Sequence, residues 1–191
     1  MLRKSLSLFT CILVVNFLFA QTTLQTKWLK ININKTGFVT SISGIKSGKE
    51  YCPKDSTSSF ISLYADKEVY EPISFSYNNK NGKIKIGFSN GSIASVEVAD
   101  KKDYLQFRLL SLTKRSNITN IVWGPYKTTI SKYIGDMISV VHDGDFAFGI
   151  FSLADNTTGG LPCDGDLSTG YYYVHTTDSV VNPLPAGLHE G

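Results

Sequence analysis

Bulky residues alternate with small or polar ones along much of the chain, most densely between Ile118 and Gly160. In this stretch an apolar run, Met137–Val141, is followed by the turn pair Asp143-Gly144 and then by a second alternating run. Bulky residues at every second position place one face of a strand in a core, and an Asp-Gly pair between two such runs favours a hairpin. The pattern therefore predicts a central hairpin whose second strand buries Phe146, Phe148, Ile150 and Leu153.

The same period of two recurs upstream of this hairpin. Turn residues, such as Asn78–Gly82 and Asn90-Gly91, interrupt it about every ten residues. The sequence shows no amphipathic helix with caps and no repeat of fixed period. We therefore predict an all-β protein, an antiparallel β-sandwich, with strands within segments 26–34, 38–42, 60–64, 73–77, 84–88, 93–98 and 104–110.

The residue pattern changes after Leu161, where frequent prolines and glycines leave Tyr171–Val174 as the one strand-like segment. We expect three parts: a signal peptide at residues 1–20, a β-sandwich domain at 21–162 and an irregular tail at 163–191. The tail is interpreted as the start of a following region or as a truncation.

The first twenty residues have the layout of a secretory leader. Basic Arg3 and Lys4 precede an apolar stretch that ends at Ala20, a small residue suited to cleavage. The stretch is shorter than the ~20 residues that a membrane-spanning helix needs. The leader predicts export to the periplasm, the cell surface or the medium, with no membrane span after cleavage. A lipoprotein modified at Cys11 and an uncleaved anchor are the alternatives.

Charge argues against a nucleic-acid partner. The net charge of the chain is +3, and Arg3 and Lys4 of the leader supply two of these charges. The mature chain is thus nearly neutral and has no basic stripe along which a phosphate backbone could lie.

The candidate acids of the central stretch are Asp136, Asp143, Asp145 and Asp155. Glycoside hydrolysis needs two carboxylates that face each other across a groove. Asp143 and Asp145, however, flank a turn glycine, where Asp is favoured for local hydrogen bonds. No catalytic residue is assigned from sequence.

Neither a metal nor a cofactor is expected. Asp143-Gly-Asp145 and Asp164-Gly-Asp166 resemble fragments of calcium loops, but a calcium loop offers several more oxygen ligands at fixed spacing. The cysteines Cys52 and Cys163 are far apart in sequence, and whether they form a disulfide is left open.

The most unusual tetrapeptide is Trp123-Gly-Pro-Tyr126. Two flanking aromatic rings can offer flat apolar faces to a sugar, which makes Trp123 and Tyr126 the candidate carbohydrate-binding residues. Trp and Tyr serve equally as residues at the rim of a core. The strand that leads into the tetrapeptide favours the packing interpretation.

Four segments carry a resemblance to a known family: W-L-K-I-N-I-N-K-T-G-F-V-T-S-I at 28–42, G-K-E-Y-C-P-K at 48–54, I-V-W-G-P-Y-K-T-T-I-S-K-Y-I-G-D at 121–136 and V-V-H-D-G-D-F-A-F-G-I-F-S-L at 140–153. They resemble the N-terminal, galactose-mutarotase-like β-sandwich (supersandwich) domain of large secreted Bacteroidota glycoside hydrolases. The resemblance covers about residues 26–162. It implies a domain type and no catalytic role for any residue of this chain.

The leading hypothesis is a non-catalytic accessory β-sandwich domain of an exported glycan-processing enzyme. Its expected partner is a catalytic domain on the C-terminal side, absent from this sequence, or a glycan. The alternatives are a free-standing carbohydrate-binding module and a β-sandwich hydrolase or lyase.

Overall fold

All the sheets in the part of the chain that the structure describes are antiparallel. The computed structural model describes residues 21–65, 68–134, 140–154 and 156–157. Within them, a single 3₁₀ turn at Arg115–Asn117 is the only helical element, and no helix is long and apolar enough to cross a bilayer. The all-β prediction is confirmed. The expected signal peptide, the tail after residue 162 and residues 137–139 of the predicted apolar run lie outside the described residues.

The N-terminal sheet has the strand order β1-β2-β3-β4, with β1 at Thr22–Gln25, β2 at Leu29–Ile33, β3 at Phe38–Gly44 and β4 at Ser58–Ser59. The predicted strand at 26–34 thus begins too early, because residues 26–28 form the turn between β1 and β2. Thr26 causes this turn: its buried hydroxyl accepts the backbone N–H groups of Trp28 and Leu29, both at 3.0 Å. A Thr oxygen used in this way competes with strand hydrogen bonding.

The central sheet has the order β11-β5-β6, with β5 at Ile61–Ala65, β6 at Glu68–Tyr70 and β11 at Asn120–Trp123. In β5, Ile61, Ser62 and Leu63 are all buried, so this strand is covered on both faces. It reads in sequence as an apolar run interrupted by one small polar residue, the pattern of a strand in the interior of a domain.

The meander sheet has the order β7-β8-β9-β10, with β7 at Pro72–Asn78, β8 at Lys83–Phe88, β9 at Ile93–Asp100 and β10 at Leu105–Leu112. Strand β8 matches its prediction fully: its apolar residues are completely buried, while Lys83 and Lys85 are exposed. Strand β7 departs from its prediction. Its pairing with β8 skips Ile73, and this bulge leaves the Ile73 side chain 58% exposed.

One core is shared by the three sheets. The N-terminal sheet, the central sheet and the meander sheet all contribute buried side chains to a single cluster, which is the arrangement of a β-sandwich. Its buried members are Leu24, Ile33, Val39, Ile42, Phe60, Ile61, Leu63, Ile84, Ile86, Phe88, Ala94 and Val96.

The hairpin sheet has the order β12-β13-β14, with β12 at Tyr133–Ile134, β13 at Val140–His142 and β14 at Ala147–Gly149. The predicted hairpin therefore forms, and Asp143 and Gly144 lie in its turn. It is not the centre of the core. A second, smaller cluster of Tyr51, Ile130 and Val141 lies beneath it.

The predicted burial of the second hairpin strand is wrong in part. Phe146 and Phe148 are half-buried, whereas Ile150 is 41% and Leu153 is 70% exposed. The physical reason is that β14 ends at Gly149, so the alternation in the sequence continues beyond the residues that are paired in the sheet.

Two neighbours on β8 test which face of the meander sheet is buried. We expect Ile86→Ala to cost about 2–5 kcal/mol of unfolding free energy, because Ile86 is completely buried and its truncation leaves a cavity. The matched control Lys85→Ala changes an exposed side chain on the same strand and should stay within about 0.5 kcal/mol. Chemical denaturation measures both, and equal midpoints would contradict the assignment of the faces.

Candidate functional site

The tetrapeptide that contains the candidate sugar-binding residues follows β11 and turns the chain back onto the core. Gly124 has a φ of +82°, which favours glycine, and the Gly124–Pro125 peptide bond is cis. A Cβ atom at Gly124 would lie only 2.9 Å from the backbone nitrogen of Tyr126. Glycine at this position therefore lets the Tyr126 side chain fold back toward β5.

Both candidate rings pack against Phe60. The Tyr126 ring is stacked on the Phe60 ring, with centroids 6.4 Å apart and planes 13° apart. The Trp123 ring meets the same phenyl ring edge-on, at 5.9 Å and 87°, and lies 5.9 Å from the ring of Phe107. Offset-stacked and edge-to-face pairs at these distances are favourable. Phe60, Phe107, Trp123 and Tyr126, with Phe75, are called the aromatic cluster below.

The phenol group of Tyr126 is used inside the protein. It donates a hydrogen bond of 2.9 Å to the carbonyl oxygen of Phe60, which also accepts the backbone N–H of Gly124 at 3.4 Å. Burial raises the pKa of Tyr126 well above its usual value. The hydroxyl is thus a permanent, neutral donor at accessible pH.

These contacts support the packing interpretation of Trp123 and Tyr126. Each ring packs a face or an edge against other rings of the aromatic cluster, and both residues are only partly exposed. Their proposed sugar binding stays a prediction.

Of the two candidate acids that flank the turn glycine of the hairpin, Asp143 uses its carboxylate within the turn. Asp143 accepts backbone N–H groups from Asp145 at 3.2 Å and Phe146 at 3.0 Å, and its other oxygen accepts the Lys49 ammonium at 2.7 Å. The hydrogen bond from Lys49 is the main cause that lowers the pKa of Asp143. The local role expected for Asp143 is therefore observed. Asp136 and Asp155 lie outside the described residues.

In the part of the chain that the structure describes, His, Cys, Asp and Glu form no group of three or more that could hold a metal ion. Cys52 is half-buried, and burial followed by the charge of Glu50 raises the pKa of its thiol to about 11. Since the thiolate is the reactive form of cysteine, Cys52 is a poor nucleophile near neutral pH. Cys163 lies outside the described residues, so its pairing is untested.

Glu50 is a structural carboxylate that the sequence did not reveal. It accepts backbone N–H groups from Ile42 at 2.9 Å, Tyr51 at 3.0 Å and Cys52 at 2.8 Å, as well as the Ser41 hydroxyl. Desolvation raises its pKa, but these hydrogen bonds outweigh desolvation and the net pKa is lowered. Glu50 thereby fixes the irregular segment after β3 against the N-terminal sheet.

An open apolar depression lies where β6 ends and β7 begins. Its apolar lining is Phe38, Val69, Pro72 and Ile73, with Glu71 among the polar residues at its margin. Val69 is 48% exposed and Ile73 is 58% exposed. No sequence pattern indicated this surface, because Ile73 alternates with serines in step with Phe75 and Tyr77, which are half-buried.

Close packing builds this depression. The turn between β2 and β3 lies directly against Pro72, and a Cβ atom at Gly37 would come within 2.8 Å of the Pro72 Cβ. Gly37 also has a φ of +94°, which disfavours any other residue. The backbone N–H of Phe75 donates to the Lys35 carbonyl at 2.7 Å and joins the same turn to β7. The depression is thus a fixed feature at the junction of three sheets.

The second tryptophan of the chain contrasts with Trp123. Trp28, in the turn between β1 and β2, is 49% exposed. Its indole nitrogen donates to Asp103 at 2.9 Å, and the Lys27 ammonium lies 4.6 Å from its ring centroid. The alternation in the sequence predicted Trp28 within a strand and did not single it out.

Comparisons of the chain with protein-family models, with curated proteins and with solved structures gave no match.

The lowered pKa of Glu50 predicts a pH-dependent contribution to stability. Glu50→Gln should destabilise the protein by about 1 kcal/mol near pH 7, a low value for a charged hydrogen-bond acceptor because Glu50 is exposed. The folded pKa lies below the unfolded value of 4.5, so the contribution is present above pH 4.5 and is lost as the pH falls through the folded pKa.

Urea denaturation of the parent and of Glu50→Gln between about pH 3 and 7 measures this effect. We expect the two curves to converge at the acid end. Glu71→Gln, a change of an exposed carboxylate elsewhere, serves as the control. A gap that stays constant down to the lowest pH would show that the hydrogen bonds to Glu50 do not depend on its charge.

Proposed function

We propose that this chain is a non-catalytic accessory β-sandwich domain of an exported glycan-processing enzyme, and that it supports a catalytic domain by direct contact. The galactose-mutarotase-like type and the Bacteroidota source belong to this proposal. They rest on the resemblance of residues 26–162. Export rests on the leader at residues 1–20.

The apolar depression is the observation that supports direct contact with a catalytic domain. Burying exposed apolar surface against another protein is favourable, roughly in proportion to the area removed from water. Val69 and Ile73 are exposed next to each other, on a backbone fixed by Gly37 and Pro72. A rigid apolar surface with a polar rim suits a loop of a neighbouring domain, since burying it needs no rearrangement.

The aromatic cluster supports a scaffold in another way. Trp123 and Tyr126 stabilise the junction of the sheets through Phe60, and the Tyr126 hydroxyl is already bonded. The alternative, a free-standing carbohydrate-binding module built on these two residues, needs the same rings to be available to a sugar.

The docking proposal predicts that a charge placed in the apolar depression weakens binding of the catalytic domain. To obtain that domain, the gene is first read beyond codon 191, where we expect a continuous frame that encodes a glycoside hydrolase catalytic domain. Immobilised protein of residues 21–191 should then retain that catalytic domain. Ile73→Asp should reduce the retention at least tenfold, because docking would bury a carboxylate without a partner.

The matched control is Ile93→Asp, since Ile93 is 49% exposed on β9, outside the depression. It should retain the catalytic domain as the parent does, and both variants should melt like the parent. No retention of the catalytic domain by the parent, or equal retention by Ile73→Asp, would refute the docking proposal.

A further inference from the structure

Two turns from different sheets meet around Trp28. The β1–β2 turn supplies Lys27 and Trp28, and the β9–β10 turn supplies Asp103 and Tyr104. The backbone N–H of Lys27 donates to the Lys102 carbonyl at 3.0 Å, which joins the two turns directly. Lys27, Trp28, Asp103 and Tyr104 are called the Trp28 surface below.

The indole ring is held in place on this surface. Its nitrogen donates to Asp103 at 2.9 Å, and the backbone on either side is fixed by the Thr26 hydroxyl and by a 2.7 Å bond from the Ile45 N–H to the Trp28 carbonyl. The ring is therefore preoriented before any ligand arrives, which lowers the entropic cost of binding.

About half of the Trp28 side chain remains open to water in spite of these contacts, and Tyr104 is 53% exposed. Exposed apolar residues that are scattered singly need no explanation. Trp28 differs because its polar edge is satisfied by Asp103 and one ring face lies beneath the Lys27 ammonium at 4.6 Å, while about half of its surface stays exposed. Trp123, in contrast, packs against the aromatic cluster.

The polar groups beside the ring suit a hydroxylated ligand. Lys27 and Asp103 form an ion pair of 2.6 Å next to the indole, so their charges offset each other, and Lys102 of the β9–β10 turn adds a positive charge near Asp103. Both side chains are more than half exposed and keep free hydrogen-bonding capacity, with donors on Lys27 and acceptors on Asp103. Hydroxyl groups can use both, whereas a strongly anionic or cationic ligand would have to disrupt the pair.

We propose that the Trp28 surface binds a neutral carbohydrate chain, with the apolar face of a sugar ring against Trp28 and sugar hydroxyls on Asp103 and Lys27. The stacked indole supplies most of the affinity, and the ion pair orients the sugar. This inference concerns the domain by itself. It does not require the docking of a catalytic domain at the apolar depression, so either proposal can fail without the other.

Affinity electrophoresis tests the proposal with residues 21–191. Native gels are cast with neutral polysaccharides (xyloglucan, glucomannan, arabinoxylan, galactan and laminarin), and further gels contain anionic polygalacturonate. We expect retardation in at least one neutral gel. Trp28→Ala should weaken it at least tenfold, and Trp28→Phe, which keeps an aromatic face, should weaken it less.

The control Ile93→Ala changes an exposed apolar residue at the start of β9, outside the Trp28 surface, and should be retarded like the parent. The melting curve of Ile93→Ala should match that of the parent, and both Trp28 variants should unfold cooperatively above the temperature of the gels, so that lost retardation reports binding and not unfolding. Three outcomes would overturn the proposal: no retardation of the parent in any neutral gel, retardation by polygalacturonate alone, or undiminished retardation of Trp28→Ala.

Discussion

The burial of Phe60 is the interaction on which the rest of the structure depends. Phe60 lies between β4 and β5, where the chain passes from the N-terminal sheet to the central sheet, and it is 1% exposed. Its N–H donates to the Gly37 carbonyl at 2.9 Å, and its carbonyl accepts the Tyr126 hydroxyl. Its ring contacts Phe75 and Phe107 of the meander sheet and Trp123 of the central sheet. One residue thus joins three sheets: its ring contacts the meander and central sheets, and its backbone N–H contacts the β2–β3 turn of the N-terminal sheet.

The hairpin sheet depends on a second, local constraint. Glu50 holds the backbone of Tyr51, and the Tyr51 ring stacks on Phe146 at 4.5 Å. Lys49 adds a hydrogen bond to Asp143 in the hairpin turn. Phe148 contacts both core clusters, so it couples this sheet to the sandwich. The two surfaces proposed to bind partners rest on the same framework, since the apolar depression and the Trp28 surface each form where segments of different sheets are held together.

The sequence predicts strands and their buried faces correctly where the alternation of apolar and polar residues runs in step with the pairing of the strands. The predicted faces are wrong where the two run out of step. In β8 the isoleucines and lysines alternate in step with the sheet, so both strand and face could be read. At Ile73 a bulge inserts one unpaired residue, so the alternation of side chains no longer matches the faces of the sheet. Beyond Gly149 apolar residues still alternate in the sequence, although β14 and its pairing have ended. The role of Phe60 could not be foreseen, because its partners lie between 15 and 66 residues away and no periodicity encodes which residues meet.

The central claim is that Trp123 and Tyr126 stabilise the sandwich through Phe60. Thermal unfolding of Trp123→Ala, followed by circular dichroism together with polysaccharide retardation, tests it most directly. We expect a midpoint several degrees lower, since 1 kcal/mol corresponds to about 2–4 °C in a chain of this size, and unchanged retardation of the folded protein. An unchanged melting curve with abolished retardation would contradict this account, because it would show that the indole of Trp123 serves a sugar and not the core.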